Sequence, residues 1–128
     1  MSEHCLFALD QVKFDNNIAY VCNMKEKTTL ISNLIRQNIS MIDPKAQIIL
    51  YGSRARGDER KDSDWDILVL TDYPSDLNTE RKFRNNLYDL ELQTGEPFSI
   101  FVYSKKDWMT KQRITPFFNN VTKEGIQL

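Results

Sequence analysis

A chain of 128 residues fits one domain, and 41% hydrophobic with 27% charged residues is neither a disordered nor a membrane-helix composition. Seventeen Lys and Arg against 18 Asp and Glu leave a net charge of -1, so no global field draws in a polyanion, and long nucleic acid is not an expected ligand. No apolar run approaches the roughly 18 residues of a membrane helix, and no membrane partner is expected.

The chain opens Met-Ser-Glu-His, without the basic segment and apolar stretch of a signal peptide. Cys5 and Cys22 form no CxxC pair. Two thiols in such a chain point to a reducing cytoplasm rather than a Cys5–Cys22 disulfide. His4 stands alone near the terminus and gets no ligand role. Residues 1–23 carry apolar side chains without a clean period and read as an N-terminal extension of uncertain structure. The core domain is expected over residues 24–128.

From residue 25 to 40, Leu30, Ile31, Leu34, Ile35 and Ile39 recur at helical spacing, which predicts an amphipathic helix ended by Asp43-Pro44. Residues 46–51 are apolar on both parities, as expected of a central strand covered on both faces. Residues 52–63 are polar and charged. Residues 64–71 form a second strand, again apolar on both faces after its start. A loop with Pro74 leads to a helix over 79–92, with Phe83, Leu87 and Leu90 on one stripe and Gly95 as its stop. Residues 97–103 read as a third strand. Ser104 caps a short helix with Asp107 as its capping-box partner. Pro116 opens a last helix through Glu124; Gly125 fits its C′ position and Ile126 the hydrophobic contact beyond it. The order predicts a small mixed β-sheet flanked by helices, of α/β (α+β) class.

The chemistry lies in residues 51–70, YGSRARGDERKDSDWDILVL. Asp64 and Asp66 are two apart in a strand, so their carboxylates leave one face while Trp65 leaves the other. Paired carboxylates at the mouth of a buried strand repel and are costly to desolvate, and a divalent cation relieves both costs. Hard oxygen donors suit Mg²⁺ completed by substrate phosphates. Gly52-Ser53 follows the first strand, where glycine allows close backbone approach. If Ser53 begins a helical turn, its amides face an anion. Arg54, Arg56, Arg60 and Lys61 add local positive charge. Each piece alone is common; together, each at the correct strand end, they specify far more.

GSRARG followed by SDWDILVL resembles the G-S-x-A-x-G … S-D-x-D-[IL]-x-[VI] signature of the DNA polymerase β-like nucleotidyltransferases. The similarity is greatest to the minimal domains, many of them encoded beside HEPN-domain toxins. It is strong over residues 48–70 and looser from 24 to the end. The resemblance implies the nucleotidyltransferase fold. It implies ATP or another nucleoside triphosphate bound at Gly52, Ser53, Arg54, Arg56 and Ser63, and two Mg²⁺ ions held by Asp64 and Asp66. It implies in-line attack of an acceptor hydroxyl on the α-phosphate, with AMP transfer from ATP to a protein or small-molecule hydroxyl the expected reaction. A HEPN-domain protein is the implied partner, and an open site on so small a domain also leaves room for a homodimer.

The pattern breaks at one point. Members of this family usually place a third carboxylate on the next core strand, and by apolar register that position falls at or near Ser99. Glu96 lies three positions earlier, on the opposite face unless a bulge at Pro97 intervenes. A domain with two acids is expected to be slower, to be completed by a partner, or to act by binding alone. Tyr103, Trp108, Phe117 and Phe118 could stack a base, but packing of the last helices on the sheet is the favoured reading.

Overall fold

Strands apolar on both parities belong at the centre of a covered sheet, and the two such runs of this sequence sit there. Strand β1 (Gln47–Tyr51) pairs antiparallel with β2 (Trp65–Thr71), Gln47 opposite Leu70 and Tyr51 opposite Asp66. Strand β3 (Phe98–Ser104) runs parallel to β2, and the short β4 (Ile126–Gln127) runs antiparallel to β1. The order is β3-β2-β1-β4. Ile67, Leu68 and Val69 on β2 are wholly buried. The structure, a computed structural model, describes residues 16–128, with side chains from Glu26 onward. The expectations for His4, for Cys5 with Cys22 and for residues 1–15 lie outside the described residues.

The chain divides into two units after Leu34. Helix α1 (Asn16–Ile42) begins well before residue 25, where the apolar period becomes legible. In the second unit its last turns bury Ile35 and Ile39 completely. Helix α2 (Ser53–Arg56) is a single turn that follows β1 at once. Helix α3 (Leu77–Thr94) buries Phe83, Leu87 and Leu90; Asp76 caps its start by accepting from the Thr79 N–H at 2.7 Å, and Gly95, at φ 73°, ends it. Helix α4 (Lys105–Met109) is capped by Ser104, whose hydroxyl accepts from the Asp107 N–H at 3.0 Å. Helix α5 (Pro116–Glu124) has Pro116 in its first turn and Thr115 as its cap. A mixed sheet flanked by helices is the predicted class. Among the described residues no helix is long and apolar enough to cross a membrane.

Alternation sorts β2 into two faces. Trp65, Ile67 and Val69 point one way, all fully buried. Asp66, Leu68 and Leu70 point the other. Leu68 and Leu70 join Tyr51, Trp108 and Val121 in an apolar cluster, with Tyr103, Phe117 and Phe118 packed against it. Trp108 lies 5.5 Å from Phe117 and 5.0 Å from Phe118, ring centroid to centroid. The C-terminal aromatics are therefore the lid of this face, the packing reading of the sequence.

Two further features differ from the sequence reading. Strand β4 was not expected, because two residues carry no period. Gly125 is not in the left-handed conformation expected at C′; its φ is -65° and ψ 140°. Space explains the glycine instead. A Cβ at Gly125 would lie 2.5 Å from the Val121 carbonyl oxygen and 2.8 Å from Ile49 Cγ2. The chain leaves α5 extended and goes directly onto β1, with the Leu128 N–H donating to the Ile48 carbonyl at 2.9 Å.

Candidate active site

Pairing of β1 with β2 brings the two halves of the 51–70 segment together. Tyr51, the last residue of β1, stands opposite Asp66. Gly52 follows at φ 78° and ψ -159°, a region essentially restricted to glycine. A Cβ there would lie 2.1 Å from Asp66 Oδ2, so the carboxylate occupies the room a side chain would need. The Gly52 carbonyl then accepts from the Ala55 and Arg56 N–H groups at 3.1 and 3.0 Å, closing the turn of α2. A helix start leaves its first amides without intrahelical partners, here beside Asp66. Gly57, at φ 82°, ends the turn.

Asp64 is exposed just before β2, and Asp66 is partly buried. Burial pushes the Asp66 carboxyl above the usual range; the charges of Asp64 and Glu124 add to the rise and Arg56 opposes it. The Tyr51 phenol is likewise raised, by burial first and then by Asp66. Negative charge is thus crowded at the mouth of β2 in the protein alone. Among the described residues no group of three or more His, Cys, Asp or Glu side chains could hold a metal ion. Asp66, with the Asp64 charge close enough to raise it, is a hard-oxygen donor pair that would leave the remaining positions of a Mg²⁺ ion to phosphate and water.

Parallel pairing of β2 with β3 sets Ser99 beside Asp66. Glu96 lies elsewhere. It is buried beneath the site, accepting from Trp65 Nε1 at 3.2 Å and from Arg54 Nη2 at 3.5 Å. Trp65 leaves the face of β2 opposite to that of Asp66, so Glu96 lies across the sheet from that carboxylate.

The basic residues separate into two kinds. Arg54 is buried: its guanidinium lies 4.6 Å over the Trp65 ring and donates to the Ser63 carbonyl at 3.0 Å. It ties the start of the charged loop to its end. The Ser63 hydroxyl accepts from the Arg60 N–H at 2.7 Å, holding that loop from within. Arg56 is exposed and pairs with Asp58 at 3.1 Å and Glu124 at 2.8 Å.

Glu124 was not singled out in the sequence. It accepts from the Gly52 N–H at 3.1 Å through Oε1 and from Arg56 through Oε2. One local signal was available: an acid in the last turn of a helix opposes the helix dipole, so its presence there points to a partner elsewhere. Beyond Asp64 and Ser99 an open cleft of about 430 Å³ runs between β3 and α3, with Arg84, Tyr88 and Phe101 on its walls.

A mixed four-stranded sheet with a Gly-Ser turn against an Asp-x-Asp strand end is the architecture of a nucleotidyltransferase. Residues 35–125 match the sequence model of the family described as polymerase beta, nucleotidyltransferase, and the chain belongs to that family. No curated protein matches the sequence. A solved structure of a mutant of the toxin–antitoxin complex MntA-HpeT is similar, with 21% identity and a TM-score of 0.51 over 78% of this chain and 70% of that one. A toxin–antitoxin structure with AMP-PNP has 22% identity and a TM-score of 0.49 over the same shares.

Proposed function

We propose that this domain binds a nucleoside triphosphate, ATP foremost, with Mg²⁺, and transfers its nucleotidyl group to a hydroxyl of a protein or small molecule. The observation that carries this reading is the contact of Gly52 with Asp66: the turn suited to phosphate and the carboxylates suited to the cation meet at one point. Asp64 and Asp66 would hold Mg²⁺, and the amides that begin α2 would take the triphosphate, with the Ser53 side chain beside them. Arg56 would contribute positive charge at the rim. Arg54 and Ser63 support the same site by fixing the loop between the two motifs.

Mg²⁺ bound there would neutralise charge on the phosphates and orient them. The acceptor oxygen forms a bond to the α-phosphorus while the bond to the bridging α–β oxygen breaks, and pyrophosphate leaves with the electron pair. The hydroxyl proton passes to water or to a base on the acceptor, because Ser99 is not an effective base. The cleft beyond Asp64 and Ser99 is the natural approach for an acceptor. Incubation with α-labelled ATP, Mg²⁺ and candidate acceptors tests the reading. Label transfer by the wild type and its loss in Asp64→Ala is expected; equal labelling by both would overturn it.

Ser99 beside Asp66 favours a second reading, in which the domain acts as an antitoxin-type module on a HEPN-domain toxin, by contact or by slow modification. A mutant of the toxin–antitoxin complex MntA-HpeT, similar in fold, supports a toxin–antitoxin setting for this reading. Co-purification with the product of a neighbouring HEPN-type gene, retained in Asp64→Ala, would favour contact; release by that substitution would favour modification.

A further inference from the structure

The turn proposed to take phosphate has a backbone that only glycine adopts, and something must hold it before any ligand arrives. Gly52 sits at φ 78° and ψ -159°, a conformation open to glycine but not to a residue with a Cβ, and glycine's freedom leaves it to the surroundings to fix that conformation. On one side Asp66 closes against its Cα. On the other, its N–H donates to Glu124 Oε1 at 3.1 Å, and the second oxygen of the same carboxylate takes Arg56 Nη1 at 2.8 Å. Gly52 and Arg56 are the two ends of the turn. One carboxylate therefore spans it.

Glu124 reaches this position through the C-terminal chain. It is the last residue of α5, and Gly125, Ile126 and Gln127 run on as the edge strand on β1, with Leu50 opposite Ile126. We infer that Glu124 is a positioning residue of the nucleotide site, holding the Gly52–Arg56 turn open toward phosphate, and that β4 docking sets it there. This rests on the nucleotide-binding reading above. Gly52 is buried, so removing the carboxylate leaves a buried donor unpaired, and the turn must relax to rehydrate it. The same loss leaves Arg56 held by Asp58 on its Nε side and without its partner at Nη1.

Two variants separate the bonds. Glu124→Gln keeps an oxygen that can accept from the Gly52 N–H but presents an amide to Arg56, whereas Glu124→Ala loses both. Titration of the folded proteins with Mg²⁺–ATP by calorimetry is expected to give about tenfold weaker binding for Glu124→Ala, the value of one charge-assisted hydrogen bond. Glu124→Gln should recover most of that loss. A residue that merely stabilised the fold would change the melting temperature without changing the affinity of the folded protein. The Gly52 amide signal in a ¹⁵N–¹H spectrum without nucleotide should shift in Glu124→Ala and stay close to its wild-type position in Glu124→Gln. Wild-type binding with Glu124→Ala within about twofold of it, or a Gly52 amide indifferent to Glu124→Ala, would overturn the inference. A wild type that binds no nucleotide while the amide shifts as described would instead overturn the nucleotide reading and leave Glu124 as the holder of the turn. Should Glu124→Ala fail to fold, Glu124→Asp, which withdraws the carboxylate by a methylene, takes its place with the same expectations.

Discussion

At the scale of single residues, the site trades stability for charge. Burial, first, and then the charge of Asp64 oppose ionisation of Asp66, and its carboxyl is raised above its ordinary value. An acid raised in the folded state holds its proton to higher pH than in the unfolded chain. Folding is then favoured below the folded value and penalised as pH rises through it. Asp66→Asn should therefore raise the melting temperature at neutral pH, by about 1–4 °C for a domain this size, and the gain should shrink as pH is lowered toward 4. A gain that grows on acidification would contradict the burial argument. Ser99 tests the missing acid directly. Ser99→Asp puts a third carboxylate beside Asp66 and is expected to lower the melting temperature without Mg²⁺. It should raise nucleotidyl transfer by about 100-fold, the low end of the range for a positioned base. Label transfer from α-labelled ATP measures it, and no gain in a folded, Mg²⁺-binding variant would show that the acid is not what limits turnover.

At the scale of elements, the turn between β1 and β2 is fixed from below by groups remote in sequence. Arg54 on α2, Trp65 on β2 and Glu96 ahead of β3 form one buried polar contact, in which the guanidinium stacks on the indole and the carboxylate accepts from both. The Arg54–Glu96 separation of 3.5 Å is long for an ion pair, so its strength comes from the shared burial more than from ideal geometry. Glu96→Ala would leave the buried Arg54 charge without its carboxylate and the Trp65 indole N–H without its acceptor, a loss of about 3 kcal/mol, the low end for breaking a buried pair. Urea unfolding followed by Trp fluorescence measures it. A loss well under 1 kcal/mol would mean that water or neighbouring carbonyls take over both donors.

At the scale of the whole second unit, the C-terminal chain adds the edge strand to the sheet and brings Glu124 to Gly52 at once. Helix α5 covers Tyr51, Leu68 and Leu70, and its exit through Gly125 puts Ile126 on β1. Gly125→Ala forces a Cβ against the Val121 carbonyl and Ile49. It is expected to cost about 1–3 kcal/mol as overpacking and to loosen β4, so that exchange of the Leu128 amide, bonded to Ile48, speeds up. If Glu124 depends on β4 docking, nucleotide affinity should fall with it. Unchanged affinity with accelerated exchange would locate the support of Glu124 in α5 rather than in β4.

What the sequence determined by itself follows from local periods and local chemistry. Two runs apolar on both parities had to be central strands, and they are β1 and β2. Phe83, Leu87 and Leu90 had to be a buried stripe, and Gly95 and Pro116 marked the end of one helix and the start of another, while the caps Asp76 and Thr115 were seen only in the structure. The Gly-Ser and Asp-x-Asp motifs were legible because turn and strand geometry fix them within 15 residues of one another. Tertiary structure decided what depends on pairing between distant segments. The β2–β3 register set Ser99, rather than Glu96, beside Asp66. A two-residue strand, too short to show a period, carried the chain end onto β1 and brought Glu124 to Gly52, 72 positions away. No local rule specifies such a contact; it exists because the sheet must satisfy its edge and the buried Gly52 N–H must find an acceptor.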